Sequence, residues 1–177
     1  MEFSGMGSLG ADRSAKARSK PLYTAEQRER RDASPWTLVQ GVLAPVQFLV
    51  FLVSLALVVR FLITGQGQAA ATLSIVAKTL TLYTIMVTGA IWEKVVFGRY
   101  LFAAAFFWED VFSMLVLALH SAYLAALVTD ALDARAQMAI ALAGYTAYVV
   151  NAGQFVLKLR AARLQAAGGL TLAGASS

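Results

Sequence analysis

Four apolar stretches, each about long enough to cross a hydrocarbon core of roughly 30 Å as a helix, dominate this 177-residue chain. They run from about Trp36 to Ile63, Ala70 to Trp92, Phe106 to Val128 and Ala136 to Leu157. The connectors are "TGQGQ", "EKVVFGRYLFAAA" and "TDALDAR". Links this short make sequential helices antiparallel neighbours, so the expected fold is an all-α integral membrane protein, an up-down bundle of four transmembrane helices. Composition agrees, because 59% of residues are hydrophobic and 14% charged, outside the range of ordinary soluble domains.

The net charge of +5 resembles a nucleic-acid signal only until it is located. Arg13, Lys16, Arg18, Lys20, Arg28, Arg30 and Arg31 precede the first span, Lys94 and Arg99 lie in the middle connector, and Lys158, Arg160 and Arg163 follow the last. The opposite side receives Arg60 and Arg135. The positive-inside rule therefore predicts that both termini are cytoplasmic, and nucleic acid is not an expected partner. With no cysteine and one histidine, disulfides and thiolate chemistry are excluded and a zinc or iron site of protein ligands is not expected.

Residues 1–20 lack the apolar centre of a signal peptide. They read as a disordered tail, or partly an appended extension, since a second Met stands at position 6. Residues 21–35, "PLYTAEQRERRDASP", read as an amphipathic interfacial helix whose Arg-rich face meets anionic headgroups. Thr24 with Gln27 fits a capping box, and Ser34-Pro35 fits an N-cap followed by proline at the first helical position. Pro45 is expected to kink the first span. Residues 36–164 then form the transmembrane domain and 165–177 a flexible tail.

Inside the spans the polar residues raise the question of function. "FFWEDVFSMLVLALHSAY" places Glu109, Asp110 and His120 in a run otherwise fit for lipid. Glu93 ends the preceding span, so the three carboxylates are expected near the cytoplasmic face. His120 lies about 16 Å deeper than Glu109 on nearly one face of the helix, since eleven residues make close to three turns. Lys78 reaches a similar depth. The last span adds Tyr145, Tyr148, Asn151 and Gln154, and the first adds Gln40 and Gln47.

Plainer readings stand beside the functional ones. The carboxylates could form an interfacial cluster bridged to Lys94 or Arg99, and Lys78 could snorkel to the outer interface. Trp36, Trp92, Trp108 and the tyrosines fit interfacial anchors, and Asn151 and Gln154 fit helix-helix hydrogen bonding. Taken from the residues alone, an enzyme, a non-enzymatic tetraspan pigment carrier or assembly factor, and a small transporter subunit stay nearly level.

Three stretches break that tie. "LYTAEQRERRDASPWTLVQGVLAPVQFLVFLVS", "LYTIMVTGAIWEKVVFGRYLFAAAFFWEDVFSMLVLALHSAYL" and "NAGQFVLKLRAARL" closely resemble the vinyl bacteriochlorophyllide hydratases, over about Pro21 to Leu164. The resemblance implies a hydro-lyase of bacteriochlorophyll biosynthesis, adding water across the 3-vinyl group of a chlorophyllide to give a 3-(1-hydroxyethyl) group. It also implies the inner, photosynthetic membrane of a bacterium, a tetrapyrrole substrate and proximity to other enzymes of the pathway. It transfers no catalytic residues and leaves the oligomeric state open.

Chemistry assigns the roles. Protonating the terminal vinyl carbon leaves a cation that the macrocycle delocalises, and water then adds to the inner carbon. This route requires a protonated carboxylic acid, an acceptor for the water's proton and preorganised negative charge. Water is the co-substrate, no cofactor is required, and the only magnesium is the one the substrate carries. Glu109, Asp110 and Glu93 are the candidate catalytic carboxylates, with Glu109 the first choice of acid. Tyr148, Asn151 and Gln154 are candidates to hold water. His120 is a candidate axial ligand of the substrate magnesium. Lys94, Arg99 or Lys158 is expected to meet the substrate propionate. Phe48, Phe51, Phe106, Phe107, Phe112 and Phe155 are candidate walls for the flat macrocycle, although a phenylalanine stripe is more often packing.

Overall fold

The computed structural model describes residues 22–174, and side chains as far as residue 164. The tail expected over residues 1–20 lies outside the described residues. Five helices follow one another: α1 (Ala25–Ala33), α2 (Pro35–Thr64), α3 (Gln68–Phe97), α4 (Phe107–Thr129) and α5 (Ala134–Gly174).

Local chemistry sets their ends. The Gln27 amide nitrogen donates to Thr24 Oγ1 at 3.2 Å and the Thr24 amide to Gln27 Oε1 at 2.9 Å, the capping box foreseen from sequence. Ser34 closes α1 and opens α2, accepting from the Trp36 amide at 3.3 Å ahead of Pro35. The Thr37 hydroxyl donates back to the Arg31 carbonyl at 2.6 Å, fixing the angle between the two helices. Pro45 lies within α2, which continues through it. Gly65 (φ 71°) ends α2 and Gly98 (φ 83°) ends α3, each in the left-handed region where glycine carries no Cβ penalty. Asp133 opens α5, its carboxylate accepting from the Ala136 amide at 2.8 Å.

The segments Pro35–Thr64, Gln68–Phe97, Phe107–Thr129 and Ala134–Leu164 are each long and apolar enough to cross a membrane. At about 1.5 Å per residue the shortest still spans a ~30 Å hydrocarbon layer. Polarity is distributed inside out. Leu38, Leu49, Val53, Ile63, Leu73, Val87 and Leu157 are exposed, while Gln47, Ser54, Lys78, Glu93, Glu109, Asp110, Ser113, His120 and Asn151 are buried. That inversion is what a lipid solvent selects, because apolar side chains gain nothing by avoiding hydrocarbon and polar ones must find partners inside.

The most extensive interfaces join α2 to α3 and α4 to α5. The two pairs then meet along α3–α4 and α2–α5, and α1 packs on α3. Phe51, Val58, Ile75, Tyr123, Met138 and Tyr145 form one apolar cluster, and Leu82, Val116 and Ala147 a second. Tyr23, Val96 and Phe106 form a third, with Trp92, Phe97 and Phe155 against it. Between these clusters runs a polar seam along the line where the pairs meet.

Candidate active site

The seam begins where α3 ends and α4 begins. Glu93 sits in the last turns of α3, and Glu109 and Asp110 in the first turn of α4. All three are buried, at 4–5% exposure. Gly98 turns the chain so that the connector folds back over them. Its backbone supplies donors: the Phe102 amide donates to Asp110 Oδ2 at 2.7 Å and the Ala103 amide to Glu93 Oε2 at 3.2 Å. Phe102 adopts φ 58°, a conformation unfavourable for a bulky L-residue, and holds it while its amide meets Asp110. The Glu93 and Asp110 side chains face one another at hydrogen-bonding range.

Glu109 is engaged differently. Lys158, two turns beyond Asn151 on α5, donates to Glu109 Oε2 at 2.5 Å and to the Ala105 carbonyl at 2.5 Å. The bridge to Lys94 or Arg99 weighed from sequence does not form. Lys94, in the last turn of α3, donates to the Gly98 carbonyl at 2.9 Å, Arg99 on the connector donates to the Phe102 carbonyl at 3.3 Å, and both side chains are exposed. These two candidates for the propionate are therefore not brought to the carboxylates.

An aromatic cluster closes this end. Phe106 stacks on Phe155 at 5.7 Å and meets Trp92 edge-on at 5.7 Å, while Tyr23 stacks on Phe97 at 5.8 Å. Trp92 Nε1 donates to Thr37 Oγ1 at 2.9 Å, tying α3 to α2 beside the cluster. The Arg31 guanidinium lies 4.8 Å over the Tyr23 ring, so α1 adds its aromatic face here as well as presenting arginines outward. Burial pushes the Tyr23 hydroxyl above its ordinary pKa, with Arg31 opposing, which leaves the phenol neutral near pH 7. Of the other candidate wall residues, Phe51 packs 5.0 Å from the Tyr148 ring, Phe48 and Phe107 are exposed, and Phe112 is half-buried.

One turn deeper, Asn151 Nδ2 donates to Ser113 Oγ at 2.8 Å. Asn151 Oδ1 and Gln154 Oε1 are buried without a hydrogen-bond partner among the described residues, and so is Gln47 Oε1 on α2. Deeper still, His120 Nδ1 is 2.8 Å from the Val116 carbonyl. That contact makes Nδ1 the donor and leaves the lone pair on Nε2, which is buried with no hydrogen-bond partner among the described residues. Gly144 admits the ring, since a Cβ there would stand 3.0 Å from both Nδ1 and Cε1. Tyr145 lies beside His120 at 5.8 Å and bonds Ser54 at 2.5 Å, which in turn meets Ser74 at 2.8 Å. Lys78 does not snorkel outward. It is fully buried, with its nitrogen 3.9 Å over the Tyr148 ring.

Sequence reasoning named the three carboxylates, His120, Tyr148, Asn151 and Gln154, and all lie on or beside this seam. It missed Lys158 as the partner of Glu109, Ser113 as the partner of Asn151, and the two connector amides. A signal for Lys158 was present. Asn151 and Lys158 are seven residues apart, two helical turns, and so share a face.

Four apolar helices around a buried polar seam, with carboxylates gathered at one end, define an all-helical multi-pass membrane protein with an interior capable of acid–base chemistry. The model of the family described as 2-vinyl bacteriochlorophyllide hydratase matches residues 23–161. This chain belongs to that family. A 2-vinyl bacteriochlorophyllide hydratase of Rhodobacter capsulatus is 72% identical over 148 residues, covering 84% of this chain and 86% of the relative. One of Cereibacter sphaeroides is 68% identical over 151 residues, covering 85% and 94%. No solved structure matches the chain.

Proposed function

We propose that this protein is a hydro-lyase that adds water across the 3-vinyl group of a chlorophyllide or bacteriochlorophyllide. The product carries a 3-(1-hydroxyethyl) group, and the step belongs to bacteriochlorophyll biosynthesis. Its membership of the hydratase family supports the reaction. The observation that carries the chemistry is the facing of Glu93 and Asp110, buried and each held by one connector amide.

Two carboxyls at that range share a proton rather than both ionise. In this reading one of the pair donates the proton to the terminal vinyl carbon, and the other stays ionised beside the developing cation. The macrocycle spreads that positive charge. A water held near Asn151 or Gln154 then attacks the inner carbon, and its proton returns to the carboxylate pair. One C–H and one C–O bond form, the C=C π bond is lost, and the acid is regenerated. The role of first-choice acid passes from Glu109 to the Glu93–Asp110 pair, because Glu109 is committed to Lys158.

His120 is the proposed axial ligand of the substrate magnesium. Its Nδ1 contact with Val116 sets the tautomer that offers Nε2 to a metal. The macrocycle enters along the seam between the α2–α3 and α4–α5 pairs, its faces against Tyr148, Phe51 and the aromatic cluster. Water is the co-substrate, and the substrate brings its own magnesium.

The bundle reads as up-and-down with both termini on the cytoplasmic side of the bacterial inner membrane. The contacts Thr37–Trp92, Gln40–Thr88 and Ser54–Ser74 run in opposite order along α2 and α3, which supports the alternation. The distribution of Lys and Arg supports the orientation.

The test is direct. Membranes containing the protein, given a 3-vinyl chlorophyllide, are expected to yield a pigment heavier by one water with a blue-shifted red band. Pigment bound by folded protein but recovered unchanged in mass would identify a carrier instead.

A further inference from the structure

Lys78 is fully buried, and its ammonium nitrogen has no hydrogen-bond partner among the described residues. An ammonium group in this setting is costly unless it is paired. The face of Tyr148, 3.9 Å away, offsets part of that cost but supplies no formal charge. The chain's own carboxylates are committed elsewhere among the described residues. Glu93 and Asp110 face each other and the connector amides, and Glu109 holds Lys158. Asp130 and Asp133 are exposed between α4 and α5, Glu26 and Asp32 pair with arginines on α1, and Glu29 is exposed on α1.

The position of Lys78 relates it to the reaction. Tyr148 is one turn from Asn151, Asn151 bonds Ser113, and Ser113 is one turn from Asp110. Along α3 Lys78 precedes Glu93 by fifteen residues, a rise of about 22 Å between their backbones, so the ammonium lies on the deep side of the acid pair. His120, with its free Nε2, lies on the same stretch of seam. A chlorophyllide, unlike a phytylated chlorophyll, carries one free carboxylate, the propionate on the pyrrole ring next to the one bearing the vinyl group. A vinyl group at the acid pair and magnesium at His120 leave that carboxylate to be met by a buried cation.

We propose that Lys78 is the carboxylate-binding residue of the tetrapyrrole site, pairing with the substrate propionate beside Tyr148 and selecting free-acid pigments over esterified ones. The proposal rests on the hydratase reading for its ligand. It moves the propionate contact from Lys94, Arg99 and Lys158, which the chain itself occupies, to the one buried cation without a protein partner among the described residues.

The experiment uses the full-length protein in detergent with two probes, 3-vinyl bacteriochlorophyllide and its propionate methyl ester. Dissociation constants come from absorbance titration and hydration is followed by mass in parallel. Wild type is expected to bind the acid about 10- to 100-fold more tightly than the ester, the worth of one charge-assisted contact. Lys78→Met is expected to weaken acid binding to the level of the ester while leaving the ester unchanged, and Lys78→Arg to keep most of the preference. Equal binding of acid and ester by wild type overturns the proposal even if Lys78→Met does not fold, and so does a Lys78→Met variant that keeps the preference. Loss of selectivity in Lys78→Met without hydration by wild type supports Lys78 and rejects the hydratase reading.

Discussion

Lys158 Nζ and Glu109 Oε2 lie 2.5 Å apart, joining the middle of α5 to the first turn of α4. The same ammonium bonds the Ala105 carbonyl, so one lysine neutralises a buried carboxylate and pins the connector that roofs the acid cluster. The pair thereby sorts three neighbouring carboxylates into two kinds, one held by a cation and two left facing each other.

That sorting predicts different outcomes for substitutions one residue apart. Glu93→Gln and Asp110→Asn are each expected to lower turnover by about 10²- to 10⁴-fold, the usual worth of a general acid. Pigment binding should be retained, because neither side chain is placed against the macrocycle's charge or magnesium. Rates by mass detection and affinities by absorbance titration check both halves. Full turnover in both variants rejects the acid pair.

Glu109 and Lys158 should behave as a structural couple. Glu109→Gln or Lys158→Met alone leaves an uncompensated charge and is expected to cost about 2–4 kcal/mol, read as a lower unfolding midpoint in detergent. The double substitution is expected to recover most of that loss, since the charge and its partner leave together. Its turnover should be well above that of Glu93→Gln. A double variant as inactive as Glu93→Gln would return the acid role to Glu109.

The magnesium contact separates His120 from the chemistry. His120→Ala is expected to weaken binding of the magnesium pigment about tenfold or more. The magnesium-free analogue should bind wild type and variant alike. Gly144→Ala should act in the same direction more mildly, because its Cβ would stand 3.0 Å from two atoms of the imidazole. Affinity that falls equally for both pigments in His120→Ala would point to packing rather than ligation.

How much of this could be read from the residues depends on whether the signal was local. The spans follow from apolar length, and the α1 cap from the spacing of Thr24 and Gln27, which needs no tertiary information. The gathering of Glu93, Glu109 and Asp110 follows from depth alone. The choice of Lys158 over Lys94 or Arg99 does not, because it depends on helix rotation and on the path of the connector. Lys94 and Arg99 are nearer in sequence, yet Gly98 turns them toward backbone carbonyls on the exposed side. The burial of Lys78 was equally illegible, since a lysine four turns from Glu93 can point to lipid, headgroups or the interior until neighbouring helices are placed.

Phe102 is the position where local propensity and structure conflict most. A phenylalanine at φ 58° costs about 1–2 kcal/mol relative to a residue without a Cβ, and its ring meets Phe107 at 5.8 Å from a half-exposed site. The reason for the conformation lies in the backbone, whose amide donates to Asp110 at 2.7 Å. Phe102→Gly keeps that donor and removes the strain. It is therefore expected to leave turnover within about threefold of wild type, with stability unchanged or higher by up to about 1 kcal/mol. Phe102→Pro removes the donor and cannot adopt a positive φ, so turnover should fall at least tenfold. If instead Phe102→Gly is as damaging as Phe102→Pro, the ring and not the amide is what the site needs, and Phe102 joins the residues that hold the macrocycle.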